Sequence, residues 1–345
     1  MTEKTIVVEH LKKYFPVRVG FFSSLVSRKQ LAVHAVDDVS FEVEKGEIFA
    51  LAGESGSGKT TTGRLLLRLI EPTSGKIYFK GQDISRLKER QLKPFRRKIQ
   101  IVFQDPYESL NPRMTIFDIV AEPLRIQGGL DHSKIEEKVY KTIEDVQLIP
   151  PEEYVTRFPH ELSGGQRQRI GVARALTLEP EFIVADEPVS MLDVSIRAEV
   201  LNLMVDLRDK RQVTFLYITH DLALARHTCD KVAIMYLGKI VDMGPVDEII
   251  FERLHPYTQA LVAAVPVPNP ESARIEVKVK GEIPSPINPP SGCRFHTRCP
   301  SYIGDICRTA EPPLIEVKKG HYVACHLFSE SKTVQKASVK NAGGS

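Results

Sequence analysis

The sequence predicts an α/β protein built on a mainly parallel sheet. Three observations carry that prediction. Short apolar runs alternate with helical stretches, a glycine-rich loop joins one such run to a helix, and another apolar run ends in two acids. The runs FALAG, FIVADEP and TFLYITH are strand-length and nearly continuous, as strands covered on both faces should be.

In chain order, residues 6–15 (IVVEHLKKYF) read as a strand running into a loop. Pro16 to Gln30 has no clear period and reads as an excursion. Residues 36–53 alternate apolar and polar and then turn wholly apolar, which predicts a hairpin feeding a buried strand. TTGRLLLRLIEP predicts a helix stopped by Pro72, and KIYFKGQDI a strand and a turn. From 105 to about 165, prolines at 106, 112, 123, 150, 151 and 159 interrupt short helical stretches, predicting a mostly helical insertion. FIVADEP, RAEVLNLMVDLRDK, TFLYITH and VAIMYLGKIVDMG then form a second strand–helix series. Proline rises after about 251, which marks an appendage, and the polar tail reads as disordered. The expected organisation is a main domain over 1–250, with 105–165 inserted in it, an extension over 251–330 and a tail over 331–345.

Bulk properties limit the function classes. Of 345 residues, 42% are hydrophobic and 26% charged, the composition of a globular chain. A net charge of +3 from 47 basic and 44 acidic residues gives no electrostatic case for nucleic acid. The first residues hold no apolar run of the signal-peptide kind. Nor does any apolar run approach the ~20 residues of a spanning helix. If the protein works at a membrane, it docks on other chains.

Gly53-Glu54-Ser55-Gly56-Ser57-Gly58-Lys59-Thr60 fits the phosphate-loop pattern G-x-x-x-x-G-K-[ST]. Its glycines let backbone N–H groups wrap phosphate oxygens. Lys59 would reach the β- and γ-phosphates, and the Thr60 hydroxyl would ligate Mg²⁺. The helix that follows, with Thr61 in its first turn, would turn its positive end to the anion. A Gly/Ser turn before a helix is the plainer reading; the strand before the loop argues against it. Asp186 and Glu187 end an apolar strand. Asp186 would hold the Mg²⁺ shell and Glu187 would polarise the attacking water. Alone, such a pair is usually a solvated strand end. Beside a phosphate loop on the same sheet it reads as catalytic.

Leu162-Ser163-Gly164-Gly165-Gln166 precedes the helical run RQRIGVARAL. With this motif the sequence resembles the ABC ATPase family, of which LSGGQ is the signature. Ser163 and the glycines put a hydroxyl and bare amides at a helix N-terminus, which is also an ordinary capping arrangement. The resemblance implies a phosphate-loop, RecA-like core with an antiparallel β subdomain, a helical signature subdomain and a C-terminal cysteine-containing appendage. It implies that the signature faces ATP bound by a partner's phosphate loop. It further implies that Gln104 senses Mg²⁺ and the γ-phosphate, that Ser190 to Asp193 form the D-loop (with Met191 for the usual alanine), and that His220 contacts the γ-phosphate. Phe15 lies where the family places an adenine-stacking aromatic, and Tyr14 is the neighbouring candidate. Catalysis would rest on Glu187, His220 and Lys59.

The stretch Gln104 to Arg113, QDPYESLNPR, is similar to the oligopeptide/dipeptide and nickel importers of that family, and so is His255-Pro256-Tyr257-Thr258 with Leu261. SGGQRQRIGVARAL resembles the second of the two ATPases that such systems pair. The resemblance implies an ATP hydrolase coupled to peptide import at the cytoplasmic face of the cell membrane. Its expected partners are a paralogous ATPase, two permease subunits and an extracytoplasmic solute-binding protein. A homodimer, another small solute such as a short sugar or nickel, and a non-transport ABC ATPase stand as alternatives. Only about a hundred residues separate Lys59 from Ser163, too few for the coiled coil of the repair type, and the single cassette differs from the translation type.

Cys293, Cys299, Cys307 and Cys325 are spaced x5, x7 and x17, neither a zinc ribbon nor a ferredoxin run. By ligand count, four thiolates suit zinc or a [4Fe–4S] cluster equally. The phrase GCRFHTRCP resembles the C-terminal element of peptide-importer ATPases, which implies iron–sulfur. His296, His321 and His326 are expected at the surface or behind the ligands, and Cys229 as a packed thiol.

Overall fold

The computed structural model describes residues 3–17, 31–264 and 279–329. Most of the 16–30 excursion, the PVPNP segment and nearly all of the polar tail lie outside the described residues. The chain opens with β1 (Lys4–Pro16) and β2 (Ala32–Glu44), which pair antiparallel from Lys4↔Glu44 to Pro16↔Ala32. The expected loop at the end of the first strand is therefore still strand, and the Val17 N–H donates to Leu31 O at 2.8 Å.

The expected hairpin within 36–53 does not form. After Glu44 the chain turns and enters β3 (Ile48–Ala52), which belongs to another sheet. The reason is burial. All five residues of β3 are buried, so the strand needs covered neighbours on both sides, and it finds them in parallel partners. The helix α1 (Lys59–Leu66) also stops before Pro72. Arg68 takes the left-handed region at φ 51°, and its Nε donates to Ile84 O at 2.9 Å.

The strand–helix series over 182–245 follows the expected order, whereas the helix over 89–98 and the elements after 250 were not anticipated. After α1 come β4 (Ser74–Phe79), β5 (Gln82–Asp83), α2 (Glu89–Lys98) and β6 (Ile99–Val102). Five helices then run without an intervening strand: α3 (Pro106–Ser109), α4 (Ile116–Gln127), α5 (His132–Asp145), α6 (Glu152–Val155) and α7 (Gly164–Leu176). Side chains of Asp105, Thr115, Asp131 and Ser163 cap four of them by accepting from backbone N–H groups. Next are β7 (Phe182–Asp186), α8 (Val194–Arg211), β8 (Thr214–Thr219), α9 (Leu222–Thr228), β9 (Lys231–Tyr236) and β10 (Lys239–Pro245). The chain ends with α10 (Val246–Glu252), α11 (Pro256–Ala263), α12 (Asp305–Thr309), β11 (Ile315–Lys318) and β12 (His321–Val323).

Two sheets result. The smaller is antiparallel in the order β2-β1-β4-β5. The larger runs β11-β12-β10-β9-β3-β8-β7-β6, with a parallel run from β9 to β6 and antiparallel pairing from β9 outward to β11. Strand β3 divides the core. Ile48, Ala50 and Ala52 face the helices of the insertion, whereas Phe49 and Leu51 face α1 and the smaller sheet. The C-terminal region is laid onto this core. β12 pairs with β10, and the Phe295 ring packs on Tyr236 and Tyr257 at 5.2 and 5.3 Å.

Candidate nucleotide site

The site lies beyond the C-terminal ends of β3, β7 and β8, where parallel sheets bind ligands. The loop after β3 holds its shape by backbone contacts. Gly58 has φ 107°, and a Cβ there would stand 2.1 Å from Ala35 O, so only glycine fits. Lys59 is buried, and its Nζ donates to Gly53 O at 2.8 Å and Glu54 O at 3.0 Å. Burial lowers the Lys59 pKa, while Glu187, Asp186 and Glu54 oppose that shift.

Thr60, the second residue of α1, lies by the end of β7, and its hydroxyl donates to Asp186 Oδ1 at 3.0 Å. Burial pushes the Asp186 carboxyl up, the Thr60 bond pulls it down and the Glu187 charge raises it again. Two oxygens converging beside a second carboxylate suit a hard divalent cation. Glu187 itself has φ 46°, a rare backbone state for a residue with a side chain. Its N–H donates to Ile218 O at 3.0 Å, which anchors the turn to β8. Gln104 Nε2 donates to Glu187 Oε2 at 3.1 Å, and His220 Nδ1 lies 3.2 Å from the same oxygen. Glu187 thus sits between both groups.

Lys59, Thr60, Gln104, Glu187 and His220 line one open cavity of about 760 Å³, the size of a nucleotide-class ligand site, while Gly53, Glu54, Ser57 and Asp186 stand behind its lining. Ser55, Gly56, Gly58, Lys59, Thr60 and Thr61 form its floor, with Gln104, Glu187 and His220 at one side. Phe15 lines the far wall and is 38% exposed. Tyr14 is turned away, its hydroxyl bonded to Asp37, so Phe15 is the aromatic available to a base. Val33, Ala35 and Pro286 complete the wall, and sequence reasoning named none of them. Pro286 arrives from the C-terminal region, held where its carbonyl accepts from the His34 N–H at 3.0 Å.

Ser163, Gly164, Gly165, Gln166 and Asp193 do not line that cavity. Ser163 and Gln166 instead satisfy each other at the start of α7, Ser163 N donating to Gln166 Oε1 at 3.0 Å and Gln166 N to Ser163 Oγ at 3.3 Å. Gly165 abuts α8, where a Cβ would meet Ile196 Cγ2 at 2.4 Å. Asp193 is exposed just before α8. The two groups of residues are still mechanically linked. Arg174 and Gln168 of α7 donate to Ser109 O, at the end of α3, at 2.6 Å and to Phe103 O, just before Gln104, at 3.4 Å. Ser190 Oγ donates to Glu187 O at 3.1 Å.

Comparison with known proteins decides the family. The ABC transporter family profile matches residues 36–190, and that of the oligopeptide/dipeptide transporter C-terminal region matches 241–307. A probable peptide ABC transporter ATP-binding protein of Sinorhizobium fredii is 48% identical over 327 residues, 95% of this chain and 91% of that one. The chain belongs to the ABC transporter ATP-binding family. The oligopeptide transport ATP-binding protein AppF of Bacillus subtilis is 50% identical over 330 residues, covering 95% of this chain and 98% of its own. Among solved structures, the ATP-binding cassette MJ0796, dimeric and bound to ADP and Pi after hydrolysis, superposes with a TM-score of 0.60 at 26% identity. The match covers 70% of this chain and 98% of that one. This ABC ATPase accordingly takes ATP with Mg²⁺ as its nucleotide.

In the C-terminal region of this ABC ATPase, Cys307 and Cys325 are buried, and Cys293 and Cys299 half-buried. Cys293 N donates to Cys307 O at 2.8 Å. Burial pushes the Cys293 thiol up to about 12, and the nearby sulfurs of Cys325, Cys299 and Cys307 add to it. Burial likewise pushes Cys325 up to about 11. The four sulfurs therefore share one neighbourhood. Of the two places expected for the histidines, none of the three is fully at the surface: His296 is half-buried, with Nδ1 2.8 Å from Cys293 O. His321 and His326 are buried, His321 Nε2 lying 3.0 Å from Asp242 and His326 Nε2 2.9 Å from Ala310 O. Cys229 is the packed thiol that the sequence suggested.

Proposed function

We propose that this ABC ATPase powers the import of oligopeptides or dipeptides. The observation that carries the substrate class is the match of residues 241–307 to the oligopeptide/dipeptide transporter C-terminal region, supported by the names of relatives about half identical over nearly the whole chain. Deleting this chain from its host should abolish uptake of a labelled tripeptide. Wild-type protein should restore it and Lys59→Ala should not. Undiminished uptake in the deletion strain overturns the reading.

In our reading, Lys59 binds the β- and γ-phosphates within the amides of Gly53 to Thr61. Thr60, Asp186 and Gln104 hold the accompanying Mg²⁺, and Phe15 stacks on the adenine. The hydrogen bond from Thr60 to Asp186 supports the metal assignment, because both oxygens already point to one place. Gln104 and His220 must turn from Glu187 toward the nucleotide when it binds, which frees the carboxylate. Glu187 then takes the proton of a water adding in line to the γ-phosphorus. The bond to the bridging oxygen breaks and ADP leaves, while Lys59 and His220 balance the charge on the transferring oxygens. Ser163, Gly164, Gly165, Gln166 and Asp193 serve the nucleotide on a partner chain.

We assign the ATPase domain to 1–250 and the importer-type extension to 251–330. Cys293, Cys299, Cys307 and Cys325, all free thiols in one half-buried to buried neighbourhood, would hold a [4Fe–4S] cluster, with zinc as the alternative that four thiolates equally allow. When bound, such a cluster supplies a rigid four-point cross-link or an electron-transfer centre.

The proposed partners are a paralogous ATPase, two permeases and an extracytoplasmic solute-binding protein, with this chain at the cytoplasmic face of the membrane. Among the described residues no helix is long and apolar enough to cross a membrane. A groove of about 350 Å³ beside β6, with Leu69, Phe103 and Ile126 exposed along it, supports docking of a permease helix.

A further inference from the structure

Glu54 sets an electrostatic problem. It is the second residue of a loop that binds a triphosphate, and its carboxylate carries the wrong sign for that task. The structure shows what cancels it. Arg298, one residue before Cys299, reaches into the loop and grips the carboxylate with two nitrogens, Nη1 to Oε2 at 2.9 Å and Nη2 to Oε1 at 3.4 Å. The guanidinium is buried and lies 5.9 Å from the ring centres of both Tyr236 and Phe295. Its Nη1 also reaches the Tyr236 hydroxyl at 3.5 Å. A two-pronged pair of this kind fixes orientation as well as distance. From the other side, the Glu54 N–H donates to the Tyr257 hydroxyl at 2.9 Å. The carbonyl of the same residue accepts from Lys59 Nζ. Glu54 is therefore held by α11 and the cysteine element, and it in turn holds the lysine that meets the phosphates.

We infer that Arg298 is a positioning residue for the phosphate loop, neutralising Glu54 and coupling the cysteine element to nucleotide binding. The inference rests on the nucleotide-site reading above but not on the identity of any metal. A second contact follows the same route. Arg294, also in the cysteine element, bonds Asp37 and Leu237 O, and Asp37 holds Tyr14 beside Phe15. Both walls of the cavity are thus reached from one short segment.

The test is MgATP binding by the full chain, purified without oxygen. Arg298→Ala should raise the Kd about three- to tenfold, the lower figure allowing for the partial exposure of Glu54. Arg298→Lys should recover only part of the loss, since an ammonium cannot make both bonds. Glu54→Gln alone should bind MgATP at least as tightly as wild type. Combined with Arg298→Ala it should restore most of the affinity. That rescue separates charge cancellation from a packing defect, which neutralising the Glu54 carboxylate would not repair. Wild-type affinity in Arg298→Ala, weaker binding in Glu54→Gln, or a double variant as weak as Arg298→Ala would each overturn the inference. Lys59→Ala is measured alongside. If it also binds like wild type, the nucleotide-site reading has failed and this inference fails with it.

Discussion

The phosphate-loop half of the site and the signature half are built on different terms. In the first, five segments distant in sequence deliver Phe15, Lys59, Thr60, Gln104, Glu187 and His220 to one cavity, where each meets another site residue or faces the open space. In the second, the side chains of Ser163 and Gln166 accept from each other's backbone N–H, and none of the signature residues reaches that cavity. Both are helix N-termini beside glycines, so the local chemistry is alike. What differs is company. The first half has acids, a buried lysine and an aromatic wall; the second has bare amides and a hydroxyl. A helix N-terminus with no further groups can finish an anion site but hardly make one. The contrast supports a nucleotide shared between two chains.

The sharpest way to break that contrast is to disable the first half alone. Glu187→Gln removes the base while keeping the shape and the hydrogen bond from Gln104. Turnover of ATP should fall by at least about a hundredfold, the usual contribution of a positioned general base. MgATP affinity should stay within about twofold of wild type. Turnover near the wild-type rate would take Glu187 out of the mechanism and leave His220 as the candidate.

Ser163→Ala probes the other half and should act differently. In the isolated chain, MgATP binding should be unchanged, because Ser163 is not part of that chain's own cavity. In the assembled transporter, hydrolysis should drop about tenfold, from one lost charge-facing hydrogen bond. Loss of the helix cap should lower stability by about 1 kcal/mol, read as a fall in Tm. Weakened nucleotide binding by the isolated chain would mean that the signature serves its own cavity, and the contrast would collapse.

Legibility followed the same divide between local and distant. The phosphate loop, the acids at the end of β7 and the helical insertion were readable because each is written in consecutive residues: a glycine spacing, an apolar run with two acids, a series of prolines. Phe15 could be placed but not told from Tyr14, since only the turn of the strand decides which ring faces the cavity and which finds Asp37. The hairpin expected after Glu44 failed because alternation cannot say which sheet the next strand will join. The contact of Arg298 with Glu54 spans 244 positions and has no period or spacing to betray it. Which of its two expected places His321 would take was hidden for a similar reason. Its partner Asp242 lies on another strand, and an isolated histidine in a cysteine-rich stretch looks solvent-facing until β12 is paired to β10.

The smallest expected effect separates neighbours within the first half. Phe15→Ala should weaken MgATP binding about threefold to tenfold, the worth of one stacked base on a partly exposed ring. The loss should be the same for ATP and GTP, because a ring face does not read base edges. Tyr14→Phe should leave affinity untouched, since its hydroxyl points to Asp37 and not into the cavity. It should instead cost about 1 kcal/mol of stability, as Asp37 loses one donor and keeps Arg294. Nucleotide titrations and thermal melts on the two variants give four numbers. If the affinity loss belongs to Tyr14 and the stability loss to Phe15, the strand is turned the other way when nucleotide binds, and the wall of the cavity must be redrawn around Tyr14.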